Sequence, residues 1–178
     1  MTDAVLSSQA GSKGDLFRVL FEEHFDYVYR SLRRHGVHEA DLEDVTHDVF
    51  LEVHRLIERF DTSRPAKPWL FAFAFRFASD YRRLGRHKVK LVDEVVAPAP
   101  ERTDEPLARA EDRALFARAL LELDEDQRAV FLLHDVDEVA VPEIAASLGI
   151  PLNTAYSRLR TAREAFSAAA RRQRARQR

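Results

Sequence analysis

The sequence predicts an all-α protein made of two small helical domains joined by a flexible linker, the C-terminal one containing a helix-turn-helix. Three observations predict it. Apolar residues recur at spacings of three and four along most of the chain. A Pro-rich stretch interrupts that pattern near the middle, and near the end two short periodic segments flank a single glycine, Gly149.

The first helix is predicted over residues 15–35, from Leu16, Phe17, Val19, Leu20, Phe21, Phe25, Val28, Tyr29 and Leu32, and Gly36 supplies its left-handed cap. Leu42, Val45, Val49, Val53, Leu56 and Phe60 step through a second helix, with Phe50 and Ile57 widening the stripe. Its far side carries Glu43, Asp44, His47 and Asp48, an exposed acidic surface.

The third segment reads two ways. Trp69, Phe71, Phe73, Phe75 and Phe77 alternate with smaller residues at the period of a strand. A helix is predicted nonetheless, because the run continues through Asp80, Tyr81, Arg82, Arg83 and Leu84 without a turn and has no partner strand nearby. Pro65 and Pro68 mark its start and Gly85 its end. Its aromatics are expected in a core rather than on a base-stacking platform.

Residues 95–106 hold three prolines among small and charged residues, the composition of an extended linker. Beyond them, residues 107–121 and 124–136 form two further helices. Residues 142–160 then form the helix-turn-helix. Ala145 lets the two helices cross closely, Gly149 tolerates positive φ in the turn, and Ile144, Leu148, Ile150, Ala155 and Leu159 face inward. The second of these helices keeps an outward face of Asn153, Thr154, Tyr156, Ser157, Arg158 and Arg160, suited to phosphates and base edges.

A chain of 178 residues, 46% hydrophobic and 33% charged, has the balance of a helix-rich globular protein. With no cysteine there is no disulfide framework, thiolate metal site or cysteine nucleophile, and a reducing cytosol is the expected compartment. No apolar run reaches membrane-spanning length, so no membrane insertion is expected. Residues 1–14 lack the features of a signal peptide and read as a flexible leader. The histidines, His24, His35, His38, His47, His54, His87 and His134, are scattered without metal-ligand spacing, and no Ser or Cys lies in a nucleophile frame. The expectation is a protein that is not an enzyme, with no cofactor and no metal.

Charge separates along the chain although the net value is only -2. An acidic block runs from Glu39 through Asp61, and a basic island follows at Arg76, Arg82, Arg83, Arg86, Lys88 and Lys90. Acids dominate again over residues 93–126, and eight arginines from Arg158 onward face only Glu164. Two basic islands kept apart by acidic stretches predict two nucleic-acid contacts.

Four consecutive motifs carry a family resemblance. Asp41-Leu42-Glu43-Asp44-Val45-Thr46-His47-Asp48-Val49-Phe50-Leu51 comes first, then Pro68-Trp69-Leu70-Phe71 running to Asp80-Tyr81-Arg82-Arg83. Leu123 to Leu132 follows, then Glu143-Ile144-Ala145 through Thr154, Ser157-Arg158-Leu159 and Ala162-Arg163. In order and spacing they resemble bacterial sigma factors of the extracytoplasmic-function (ECF) group, over roughly residues 16–166.

The resemblance implies a leader (1–14), a region-2-like domain (15–90), a linker (91–106), a region-4-like domain (107–170) and a basic tail (171–178). It implies docking on the β′ clamp helices of core RNA polymerase through Asp41, Asp44, His47, Asp48, Val49 and Glu52, with a further contact to the β flap. Trp69, Arg76, Asp80, Tyr81, Arg82, Arg83, Arg86 and Lys88 would meet and open the minus-ten element. Asn153, Thr154, Tyr156, Ser157, Arg158, Arg160 and Arg163 would meet the minus-thirty-five element in the major groove. An anti-sigma factor is the further implied partner, and the bacterial cytoplasm, with the nucleoid when polymerase-bound, the implied location.

Two departures stand out. Where family members commonly carry Arg and Asn on the third helix, this chain has Ala72 and Arg76, and the usual Ser or Thr cap of the helix-turn-helix is Ala140. Losing that cap costs about 1 kcal/mol. The rival from the residues alone is a helix-turn-helix repressor or response-regulator-type factor whose N-terminal helices dimerise; such a protein has no use for an acidic helix followed directly by an aromatic, Arg-rich one.

Overall fold

The computed structural model describes residues 13–88 and 107–176, helical with no strand among them. The chain divides into two compact units at residue 90. The expected linker lies outside the described residues, as does the leader apart from Lys13 and Gly14, which begin the first helix.

In the first unit, α1 (Lys13–Arg34), α2 (Leu42–Arg55) and α3 (Ala66–Lys88) pack against one another, with single 3₁₀ turns at Glu39–Asp41 and Ile57–Arg59. The predicted apolar stripes form the core: Leu20, Val28, Leu32, Leu42, Val49, Val53 and Leu70 are fully enclosed. Gly36 closes α1 at φ 84°. A Cβ there would meet the Arg82 side chain only at an ordinary contact of 3.7 Å, so it is the positive φ that calls for glycine.

The aromatic run is helical, and its strand-like alternation has a packing cause. α3 contacts both α1 and α2, so apolar residues are needed on two sides of one cylinder. Phe71 and Phe75 meet the buried His35 ring at 5.2 and 5.6 Å, while Trp69 packs at a tilt on Phe60 at 4.8 Å and edge-to-face with Phe73 at 4.9 Å. Ala74 and Ala78 are buried between the bulkier positions. Gly85 does not end the helix, which runs on to Lys88. A lone glycine costs a helix only about 1 kcal/mol, and neither a left-handed turn nor a proline stops the chain there.

The second unit holds α4 (Leu107–Leu121), α5 (Glu125–Phe131), α6 (Val141–Leu148) and α7 (Leu152–Arg176). Asp124 caps α5 by accepting from the Gln127 N–H at 2.8 Å. The helix expected over 124–136 is α-helical only to Phe131, and its last turn, Leu132–Val136, widens to a π-helix. Ala140 gives α6 no side-chain cap, and Pro142 sits one residue inside the helix start. Gly149 makes the turn at φ 65°. Ile144, Ala145, Ala155 and Leu159 are buried as the pattern predicts, whereas Leu148 and Ile150 are half-buried.

α7 extends through Arg176, so most of the segment expected as a basic tail continues the same helix. Arg172 and Gln173 both bond the Glu122 carboxylate, Gln173 at 3.0 Å, which fastens this extension to the end of α4. Among the described residues, no helix is long and apolar enough to cross a membrane.

Candidate functional site

Three surfaces emerge from the predicted residues, and each separates groups that are available from groups engaged internally. On α2, Glu43, Asp44, His47 and Asp48 line the exposed side, one turn before Leu51, which is 69% exposed. Asp44 and Asp48 form no ion pair with any described residue. His47 holds the Glu43 carbonyl through Nδ1 at 2.9 Å and lies 5.7 Å from the Phe25 ring.

The other expected docking residues are engaged within the unit. Val49 is 0% exposed and packs in the core. Asp41 accepts a 2.6 Å hydrogen bond from the Tyr81 hydroxyl, joining the start of α2 to α3. Partial burial and then this bond raise the Tyr81 phenol above its ordinary value. Glu52 accepts from Arg55 Nε at 2.8 Å and Nη2 at 2.6 Å, with Arg76 Nη2 at 3.4 Å. Chiefly the Arg55 bonds hold its carboxyl below the usual glutamate range.

The α3 surface sorts in the same way. Trp69 is half-buried between Phe60 and Phe73. Arg82 is only partly exposed, and both its Nη atoms are enclosed beside the Gly36 turn, out of reach of a phosphate. Arg83 is exposed and pairs with Asp80 at 3.1 Å, one helical turn before it. Arg76 lies over the Phe73 and Phe77 rings and keeps an open edge. Arg86 and Lys88 fall in the last turn of α3, and their side chains lie outside the described residues.

In the second unit the N-terminal part of α7 presents Asn153, Tyr156, Ser157 and Arg160 to solvent, with Thr154 half-buried. Tyr156, Ser157, Arg160, Arg163 and Glu164 line a shallow groove along this face. Two expected DNA-contact arginines are tied down: Arg158 pairs with Asp126 of α5 at 2.5 Å, and Arg163 Nε donates to Asp135 of the π-turn at 2.9 Å. The Asp135 bond raises the Arg163 pKa further above its already high ordinary value.

Reading the sequence missed Asp126, Asp135 and Glu122 as anchors for these arginines. It also missed Arg128. This buried residue donates to the carbonyls of Leu120 at 2.9 Å, Leu121 at 3.4 Å and Leu123 at 3.0 Å, closing the end of α4. These pairings cross between elements, so no local spacing announces them. Only the Asp124 cap ahead of α5 had a signal, an Asp just before an apolar run.

Comparison with known proteins agrees with this division. The family model described as Sigma-70 region 2 matches residues 20–87, and that described as Sigma-70, region 4 matches residues 113–166. The ECF RNA polymerase sigma factor SigL of Mycobacterium tuberculosis is 35% identical over 159 residues, covering 88% of this chain and 89% of SigL. RNA polymerase sigma factor CnrH of Cupriavidus metallidurans is 29% identical over 178 residues, 93% of each chain. The structure of CnrH in complex with the cytosolic domain of CnrY aligns with a TM-score of 0.63 at 28% identity, over 93% of this chain and 95% of that one. RpoE from Bartonella quintana, solved with the anti-sigma factor NepR, shares the fold at a TM-score of 0.70 and 20% identity, over 87% and 96% of the two chains.

Proposed function

The chain belongs to the ECF RNA polymerase sigma factors, and from that membership we propose how its surfaces divide the work of promoter selection. It is an alternative sigma factor, a regulator that directs RNA polymerase to promoters. Synthesis of RNA belongs to the polymerase core; this chain contributes the choice of start and the opening of the strands.

The docking surface is the exposed side of α2, centred on Asp44, Asp48, His47 and Leu51. One observation carries this assignment: Asp44 and Asp48 are exposed and unengaged by any described residue, while Val49 is buried and Asp41 and Glu52 are bonded to other residues of the unit. Free carboxylates around an exposed leucine suit a basic, partly apolar helical surface, and the β′ clamp helices are that partner. α3 meets the opened minus-ten strand with Arg76 and Arg83, and α7 enters the minus-thirty-five major groove with Asn153, Tyr156, Ser157 and Arg160. The region-4-like unit also meets the β flap.

CnrH binds the cytosolic domain of CnrY, and a comparable anti-sigma partner restrains this chain by covering the α2 surface. The protein works in the bacterial cytoplasm, on the nucleoid when polymerase-bound. Changing Asp44 and Asp48 together to Lys removes retention of the full-length protein by immobilised core polymerase while the thermal melting curve stays within about 1 kcal/mol of wild type. Undiminished retention by the double variant contradicts the docking assignment.

A further inference from the structure

The last turns of α7 carry charge to which none of the surfaces above gives a task. The match to Sigma-70, region 4 ends at residue 166, yet α7 runs on to Arg176. Its inner side continues without a break. Phe166 packs on Phe116 at 5.3 Å and on Phe131 at 4.7 Å, Ala169 is fully buried, and Gln173 donates to the Glu122 carboxylate at 3.0 Å. Arg172 joins the same carboxylate. These contacts fasten the extension to α4 and α5 and so fix the direction of its outward side chains.

Arg171 and Arg174 lie about three and about four turns beyond Arg160 at 3.6 residues per turn, which returns them to the side of α7 that carries Asn153, Tyr156, Ser157 and Arg160. Both are exposed, and neither pairs with a described residue. Glu164, the only acid from Arg158 to the C-terminus, sits between the two groups and separates them. A rise of about 1.5 Å per residue puts Arg171 and Arg174 about 16 and 21 Å past Arg160. The major groove is about 12 Å wide, so side chains that far along a straight helix have passed its wall and face phosphates rather than base edges. Two guanidinium groups held on a packed helix, with no internal acid to neutralise them, complement that backbone charge.

We propose that the last turns of α7 form a second, sequence-independent DNA contact, in which Arg171 and Arg174 engage backbone phosphates beside the minus-thirty-five element. The inference rests on the reading that the first turns of α7 enter that element's major groove. The contact adds affinity and fixes the lie of the helix without adding base preference.

The test measures binding of full-length protein with core polymerase to two promoter fragments over a series of salt concentrations. One fragment carries the minus-thirty-five element of a promoter that wild type selects in vitro, and the other has that element scrambled. R171Q/R174Q is expected to weaken binding to both fragments by the same factor, on the order of tenfold at physiological salt, and to reduce the slope of log K against log salt by about 2. The preference for the intact fragment stays at the wild-type ratio. R171K/R174K keeps both affinity and slope, because a phosphate accepts a point charge. Unchanged affinity and slope in the glutamine variant overturn the proposal, as does an equal loss in the lysine variant. Poorer retention of the glutamine variant on immobilised core without DNA, at an unchanged salt slope, also overturns it and assigns the arginines to an acidic polymerase surface. If wild type itself shows no preference for the intact fragment, the minus-thirty-five reading of α7 fails instead, while the salt slopes still report on Arg171 and Arg174.

Discussion

Arg158 and Arg160 lie two residues apart on α7, yet their surroundings differ. Arg158 is half-buried and paired with Asp126 of α5, whereas Arg160 is exposed on the groove beside Tyr156 and Ser157. A half-exposed ion pair contributes about 1 kcal/mol or less to stability, while an unpaired exposed arginine is available to DNA. Arg160→Ala is expected to weaken use of promoters dependent on the minus-thirty-five element by on the order of tenfold with an unchanged melting curve, since a good base or phosphate contact contributes about 1–3 kcal/mol. Arg158→Ala is expected to lower the melting temperature slightly and affect promoter use less. Titrating each variant into single-round transcription and melting it separately checks both, and equal transcriptional loss from the two sends the assignment back to the whole helix face. The sequence put these arginines on one outward face because spacing fixes only the direction in which a side chain leaves its own helix. Asp126 and Asp135, which decide which arginine is free, sit on a different element.

At the scale of elements, helix positions were legible and helix ends less so. Helical periodicity and turn signals located six of the seven helices among the described residues, the unbroken run through Leu84 located α3, and Gly36 and Gly149 marked turns that adopt φ 84° and 65°. Gly85 looked like a helix end and is not one, because a stop signal works only when the following residues leave the helix as well. The π-turn after Phe131 left no trace in the pattern, since one extra residue in a turn shifts the stripe by less than the width of the buried face. Arg128 shows how much of an element's stability can hide in one polar residue. Its guanidinium satisfies three carbonyls at the end of α4. Removing it strands buried acceptors, each of which costs about 1–3 kcal/mol to leave unmet. Arg128→Ala is therefore expected to destabilise the protein by about 3 kcal/mol, the largest loss of any arginine substitution considered, and to melt the α4 end first by amide hydrogen exchange. A loss under about 1 kcal/mol in denaturant unfolding contradicts this capping role.

For the whole molecule, two compact units each present one helix proposed to meet DNA, and α2 of the first also carries an exposed acidic face. Charge segregation in the sequence anticipated the exposed acidic side of α2, because long blocks of one sign on helices must end on surfaces. It could not divide the acidic helix into groups that dock and groups that hold the fold: Asp41, Asp44, Asp48 and Glu52 look alike in one dimension. In three dimensions Tyr81 engages the first and Arg55 with Arg76 the last, which leaves Asp44 and Asp48 for a partner. A promoter reader built this way depends on the polymerase to hold its two halves at the spacing of the two promoter elements. If the chain confers promoter choice on core RNA polymerase, sequencing the 5′ ends of transcripts made in vitro from genomic templates reveals it. Adding the protein to core is expected to create a new set of start sites sharing two upstream elements at fixed spacing, and the Asp44 and Asp48 double Lys variant to abolish that set. Start sites identical with and without the protein, alongside tight sequence-specific binding to duplex DNA by the isolated chain, would contradict it.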